Sequence, residues 1–171
     1  REGVKHIEIT WSSHPCWMSL MKELSSRFPE ISLGAASITS QVALESVAEL
    51  GLDYAMTPTW NPTLQLYARD LKQLLIPGVF SPTEIQQAKS FGYQLIKLFP
   101  ASTLGIKYIQ SLKGPIDTMP FIIAAGGLTV KDLNPWLKAG YGAITLGRKL
   151  IKEQTVDPEL KKWLQVTPSM A

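Results

Sequence analysis

The stretch from Tyr93 to Ser102, YQLIKLFPAS, places a lysine in the middle of an otherwise apolar strand. Side chains alternate between the two faces of a strand, so Lys97 is predicted to share a face with Leu95 and Phe99. Burial on that face would disfavour the charged ammonium and leave a neutral amine that can attack a carbonyl carbon. The alternative is that Lys97 lies at the strand end and extends its ammonium to water.

The same order of strand and then helix repeats along the rest of the chain. Short apolar segments predict seven strands, at Val4–Thr10, Ile31–Ala35, Tyr54–Thr57, Leu74–Pro77, Gln94–Phe99, Phe121–Ala125 and Ala143–Leu146. Amphipathic segments predict helices near His14–Arg27, Ser40–Leu50, Pro62–Asp70, Pro82–Ser90, Leu104–Leu112, Val130–Lys138, Arg148–Glu153 and Pro158–Leu164. Ser81, Pro82 and Glu84 give the fourth helix a clear start signal.

Alternating short strands and helices predict an α/β fold with a parallel sheet covered by helices. Polar or glycine-containing turns follow many of the strands, which favours a (β/α)8 TIM barrel over an open doubly wound sheet. Seven strands are one fewer than a barrel needs, and Arg1-Glu2-Gly3 reads like the end of a helix. We therefore expect one barrel domain over residues 1–171, with its first strand and helix absent from this chain.

The composition indicates a globular protein, with 171 residues, 45% hydrophobic and 18% charged. The basic residues are scattered despite the net charge of +3, so no nucleic-acid groove is expected. No apolar run reaches the roughly 18 residues of a membrane helix. Cys16 is the single cysteine, which excludes an internal disulfide. These features predict a cytoplasmic protein with no nucleic-acid or membrane partner.

Several motifs resemble those of the class I 2-keto-3-deoxy-6-phosphogluconate (KDPG) aldolases, which include the 4-hydroxy-2-oxoglutarate (KHG) aldolases. A K-x-F-P-A pattern is present at Lys97–Ala101, and an I-E-[IV]-T pattern at Ile7–Thr10. An LIPG turn occurs at Leu75–Gly78, and a double glycine, Gly126-Gly127, is followed later by Gly147. The resemblance implies a TIM barrel, Schiff-base chemistry on Lys97 without a cofactor or metal ion, and assembly as a homotrimer.

Glu8 lies between two isoleucines and is predicted to face the opposite way, inward with His6 and Thr10. By the resemblance, Glu8 is the general acid and base, acting through water. The alternative is an ordinary buried ion pair between Glu8 and Lys97.

The substrate is expected to contact the ends of several strands. The glycines Gly126, Gly127 and Gly147 can offer backbone N–H groups to a phosphate, and Arg148 can add a charged contact. Alternatively, the glycines only form tight turns and Arg148 is solvated. The resemblance adds further substrate-binding residues at Thr10, Ser12, Ser37, Pro58 and Phe99.

Three positions depart from the family pattern. Ser12 stands where the family has an arginine that holds the substrate carboxylate. Ser37 replaces a threonine and keeps a hydroxyl, whereas Ala125 replaces a threonine and loses one. These departures bear on which substrate the chain accepts.

The resemblance therefore implies an aldolase of carbohydrate metabolism, in the Entner–Doudoroff pathway, that acts on a small 2-oxo acid. It would cleave KDPG or KHG to pyruvate and an aldehyde, which is glyceraldehyde 3-phosphate or glyoxylate. The same iminium could instead decarboxylate oxaloacetate. A second alternative is a weakened relative that only binds a phosphometabolite or a partner protein.

Overall fold

The computed structural model describes residues 3–147, 150–152 and 155–166. The described part of the chain divides into two compact units, the first from Lys5 to Val79 and the second from Phe80 onward, with residues 3 and 4 belonging to the second. Within the described residues, no helix is both long enough and apolar enough to cross a membrane.

The first unit is built on a parallel sheet whose four strands pair in chain order. These strands are β1 (His6–Thr10), β2 (Ser32–Ala36), β3 (Tyr54–Met56) and β4 (Leu75–Ile76), and a short strand β5 (Gly78–Val79) ends the unit. The connecting helices are α1 (Cys16–Arg27), α2 (Gln41–Glu49) and α3 (Pro62–Asp70).

Apolar side chains from all three helices and the sheet form the core of the first unit. Met21 of α1, Leu44 of α2 and Leu64 of α3 cluster with Leu33 and Ala35 of β2. Each helix buries one apolar stripe in this way, as expected for helices that cover a sheet.

The second unit contains three strands that pair in parallel, β6 (Leu95–Leu98), β7 (Phe121–Ala124) and β8 (Ala143–Ile144). Its helices are α4 (Pro82–Ser90), α5 (Ala101–Leu104), α6 (Tyr108–Leu112), α7 (Leu133–Ala139) and α8 (Pro158–Val166). A 3-10 turn over Val130–Asp132 precedes α7, and strands β9 (Ile151–Lys152) and β10 (Thr155–Val156) form an antiparallel pair.

All seven predicted strands are present, each shifted or shortened by at most a few residues. The bounds of α3 and α4 match the prediction because both helix starts are encoded locally. Ser81 and Glu84 form a complete capping box, and Asn61 accepts a hydrogen bond from the Leu64 N–H at 3.1 Å before Pro62.

Two predicted helices are wrong. The helix predicted over Leu104–Leu112 is divided into α5 and α6 at Gly105, whose φ of 81° ends α5. In the segment predicted as a helix over Arg148–Glu153, Ile151–Lys152 is instead a strand that pairs with Thr155–Val156. Pairing with a β-branched segment further along the chain overrides the local helical pattern here. The flanking residues 148, 149 and 153 lie outside the described residues.

Candidate functional site

Lys97 is the third residue of β6 and is only 6% exposed. Its neighbours Ile96 and Leu98 are fully buried on the opposite face of the strand, and its register partner on β7 is Ile123. The alternative in which this lysine reaches water at the strand end is therefore wrong. A buried lysine is costly, because its ammonium loses hydration.

The aromatic ring of Phe99 lies beside the Lys97 amine, with 5.4 Å between Nζ and the ring centroid. That distance allows the face of the ring to interact favourably with an ammonium group. Gly126 makes room for the ring, because a Cβ atom there would lie 2.9 Å from Cε2 of Phe99. The structure thus brings Lys97, Phe99 and the double-glycine turn together within the second unit.

The double-glycine turn follows β7 and requires glycine at both positions. The φ angles of Gly126 and Gly127 are 95° and 78°, which other residues rarely adopt. A Cβ atom on Gly127 would also lie 2.1 Å from the hydroxyl oxygen of Ser102. We did not predict this position of Ser102, because the hydroxyl approaches Gly127 only through the packing of α5 against the turn.

The N–H groups at the start of α5 donate to carbonyl groups of the segment that directly follows β7. Ala101 N–H donates to Ala125 O at 2.7 Å, and Ser102 N–H donates to Gly126 O at 3.1 Å. These two donors are therefore already used within the protein. Any anion at this turn has to use other groups.

Gly147 follows β8 and lies on an open groove of about 530 Å³. The groove is also lined by Leu128, Thr129, Val130, Lys131, Leu146, Leu150, Asp157, Pro158 and Glu159. Arg148, the predicted phosphate-binding cation, lies outside the described residues. The phosphate site therefore stays a prediction.

In the first unit, the predicted substrate-binding residues Thr10, Ser12, Ser37 and Pro58 lie at the carboxyl ends of strands β1 to β3. Hydrogen bonds from Trp11 N–H to the carbonyl of residue 36 (2.9 Å) and from residue 38 N–H to the carbonyl of residue 56 (3.1 Å) extend the ladder into these turns. Because the strands are parallel, the structure brings these residues to one edge of the sheet.

The turns at this edge have distinct local geometries. The Ser12 hydroxyl accepts a hydrogen bond from His14 N–H at 3.2 Å, which closes the turn after β1. Ser37 has a φ of 61°, an unfavourable conformation for a residue with a side chain. Pro58 packs against Gly78, where a Cβ atom would lie 2.3 Å from the Pro58 carbonyl carbon.

Glu8 lies at the middle of β1 and is half-buried, but His6 and Thr10 on the same face are exposed. All three side chains share one face of β1, as predicted, but His6 and Thr10 are exposed on that face. Tyr54 is a residue of this face that the sequence did not reveal. Burial raises the pKa of the Tyr54 phenol, and the nearby Glu8 carboxylate raises it further.

The family model for KDPG and KHG aldolases matches residues 1–167 of the chain. The 2-dehydro-3-deoxy-6-phosphogalactonate aldolase of Escherichia coli is 27% identical over 151 residues, which are 88% of this chain and 73% of that protein. The 2-dehydro-3-deoxy-phosphogluconate aldolase of Dickeya dadantii is 26% identical over 136 residues. There the match spans 79% of this chain and 63% of the relative, so the chain corresponds to only part of these proteins.

Solved structures give the same picture of the fold. A structure described as native KDPGal has a TM-score of 0.80 and 24% identity, and the match covers 95% of this chain and 79% of that one. KDPG aldolase from Legionella pneumophila, with pyruvate captured as a covalent carbinolamine, has a TM-score of 0.75 and 23% identity. That match covers 84% of this chain and 69% of the other. These likenesses confirm the predicted α/β fold class, that of the TIM-barrel aldolases.

Proposed function

This chain belongs to the KDPG and KHG aldolase family, and from that premise we propose that it is a class I aldolase acting on a 4-hydroxy-2-oxo acid. The observation that carries the proposal is the burial of Lys97, which is 6% exposed within an apolar strand. Burying a lysine costs stability, and such a cost is commonly retained at sites where the amine takes part in chemistry. The family match gives no support to the decarboxylase or binding-protein alternatives.

In the proposed reaction the neutral amine of Lys97 attacks the C2 carbonyl of the substrate and forms a carbinolamine. Loss of water gives an iminium, which accepts the electron pair of the C3–C4 bond when that bond breaks. The aldehyde leaves and an enamine remains. Protonation at C3 and hydrolysis, which consumes one water, release pyruvate and restore Lys97. The carbinolamine captured in the Legionella relative supports this route.

Glu8 is proposed to move the protons. Its carboxylate takes the proton of the C4 hydroxyl as the C3–C4 bond breaks, and the resulting acid returns a proton to C3 of the enamine, in each step through water. The half-buried position of Glu8 on β1 supports this assignment, since partial burial favours proton exchange over permanent charge.

The proposed substrate is a 6-phosphorylated 2-dehydro-3-deoxy sugar acid. The relatives described above act, by their names, on the phosphogalactonate or the phosphogluconate form, which differ in configuration at C4. Ala125 is 2% exposed and offers no hydroxyl that could select one C4 configuration. We therefore expect both forms to be cleaved, with little discrimination between the two configurations at C4. Phosphate would bind near Gly126, Gly127 and Gly147, with Arg148 as the cation.

The proposal includes a cytoplasmic homotrimer. Val42 on α2 and Leu66 on α3 are 63% and 50% exposed, and apolar side chains exposed on neighbouring helices favour association with another copy. Cys16 as the single cysteine agrees with a reducing compartment. Light scattering on the purified protein tests the number of subunits.

The test of the proposed function is reductive trapping with pyruvate and borohydride, followed by intact-mass measurement. We expect one covalent adduct on the wild type and none on Lys97→Met, which keeps the side-chain volume but removes the amine. Lys89→Met is the matched control, because this partly buried lysine donates to Thr118 at 3.3 Å on the protein surface. A folded wild type that forms no adduct would overturn the aldolase proposal and favour the binding-protein alternative.

A further inference from the structure

Three residues of the first unit stand side by side on neighbouring strands. Glu8 on β1 is the register partner of Gly34 on β2, and Gly34 is the register partner of Tyr54 on β3. In a sheet, residues in register point to the same face. Glu8 and Tyr54 therefore share a face, with only a glycine between them.

The Tyr54 ring fills the space that Gly34 leaves open. A Cβ atom on Gly34 would lie 2.3 Å from Cε2 and 2.4 Å from Cζ of the ring. Because Cζ carries the hydroxyl, the polar end of the tyrosine lies over β2 and is directed to the next strand, β1. The rings of Tyr54 and His6, two residues before Glu8, are 6.4 Å apart between centroids, which agrees with this direction.

Electrostatics keep the Tyr54 hydroxyl in its donor form. Tyr54 is 8% exposed, and burial, then Glu8, then Asp53 raise the pKa of its phenol. The phenol therefore stays protonated across the neutral range and can donate to a carboxylate. The titratable groups around it within this unit are Glu8 and His6 on β1 and Asp53 beside β3. Asp53 already accepts a hydrogen bond from the N–H of residue 33 at 2.8 Å.

Resting on the proposed function, we propose that Tyr54 is a positioning residue for Glu8. The Tyr54 hydroxyl reaches across Gly34 and orients the Glu8 carboxylate for proton transfer. Hydrogen bonds of this kind are often long in the free enzyme and shorten when substrate binds. A neutral donor beside the carboxylate also favours its charged form, and so extends the pH range in which Glu8 acts as a base.

The test uses Tyr54→Phe, which keeps the ring over Gly34 and removes only the hydroxyl. The readout is the exchange of the pyruvate methyl protons with deuterium, followed by NMR between pH 5 and 9, because that exchange requires proton transfer at C3 of the enamine. We expect exchange about tenfold slower or more, since hydrogen bonds to charged groups are among the stronger ones. The acidic limb of the pH profile should move up by about one pH unit. Borohydride trapping on Lys97 should be unchanged.

The matched control is Tyr67→Phe, which removes a hydroxyl that donates to the Glu45 carboxylate at 2.5 Å on the helix side of the same unit. This control should exchange at the wild-type rate. In a Glu8→Gln background, Tyr54→Phe should slow the exchange less than twofold further. Wild-type exchange and an unmoved pH profile in Tyr54→Phe, with trapping intact, would overturn the role of Tyr54 and leave the proposed function standing. Failure of the wild type to trap pyruvate would overturn both.

Discussion

Adding one methyl group at Gly34 should displace Tyr54 and lower the stability of the first unit. The Cβ atom of Gly34→Ala would lie 2.3 to 2.6 Å from three ring atoms of Tyr54. Packed carbon atoms are about 3.5–4.0 Å apart, so the ring has to retreat by roughly 1 Å. Tyr54 is 8% exposed, and such a retreat forces neighbouring side chains to move as well.

The expected loss follows from two opposing effects. Overpacking a buried site costs about 1–3 kcal/mol. The φ of Gly34 is not positive, so the backbone there accepts alanine. Replacing glycine by alanine lowers the conformational entropy of the unfolded chain, which offsets about 0.5–1 kcal/mol of the overpacking cost. The net loss in the free energy of unfolding is therefore about 0–2.5 kcal/mol, and its central value of about 1.3 kcal/mol lowers Tm by roughly 3–5 °C for a chain of this size.

The assay is urea unfolding of a double-mutant cycle with Tyr54→Ala, which removes every side-chain atom beyond Cβ and with them the three ring atoms near Gly34. In that background Gly34→Ala should cost less than about 0.5 kcal/mol, so the coupling energy should be about 1 kcal/mol. Gly114→Ala is the control, because no heavy atom lies within 4 Å of its Cβ position. Equal costs of Gly34→Ala in both backgrounds would refute the contact on which the role of Tyr54 rests.

Three further results are expected. Unfolded tyrosines ionise near pH 10, whereas burial and Glu8 raise the pKa of Tyr54 in the folded chain, so above pH 10 stability falls by up to about 1.4 kcal/mol per pH unit. Urea unfolding at pH 9 and pH 11 measures this fall, and the free energy of unfolding should fall less between these two pH values in Tyr54→Phe than in the wild type. Ser81→Ala removes the capping box of α4 and should lower stability by about 1 kcal/mol in thermal unfolding, whereas the exposed Ser111→Ala should change nothing measurable. Thr57 is fully buried and its hydroxyl bonds to the backbone of residue 59, so Thr57→Val should cost about 1–2 kcal/mol in urea unfolding. Thr103 of α5 is exposed and serves as the control, so equal midpoints for Thr57→Val and Thr103→Val would contradict this.

Features that depend on local sequence could be predicted well. The start of α4 needs only Ser81, Pro82 and Glu84, which are adjacent in the chain, and the predicted bounds were correct. The strands were also found, because each is a short apolar segment between turn residues. The division between α5 and α6 was missed, because Gly105 within an otherwise helical segment is compatible with either one helix or two.

Features that depend on register could not be predicted. Tyr54 faces Glu8 because β1, β2 and β3 align at Gly34, and that alignment joins residues that are far apart in the chain. The exposure of His6 and Thr10 has the same origin, since the alternation of β1 fixes which residues share a face but not what covers that face. A glycine in the middle of β2 was the available signal, because glycine in a strand often marks the close approach of another group.

Several residues adopt an environment or a backbone conformation that is unfavourable for their type, and these residues lie in similar places in the fold. Lys97 is buried in an apolar strand, Ser37 adopts a positive φ after β2, and the double glycine after β7 is strained for any other residue. All of these lie in or directly after strands, toward their carboxyl ends. Lys72 also has a positive φ, but it lies just after the end of α3, and its backbone N–H donates to the Arg69 carbonyl at 3.0 Å, as residues that follow a helix commonly do. Conflicts between local preference and fold are expected at functional sites, where another requirement outweighs stability. Their location therefore points to the same residues as the family motifs, on grounds that do not depend on the resemblance.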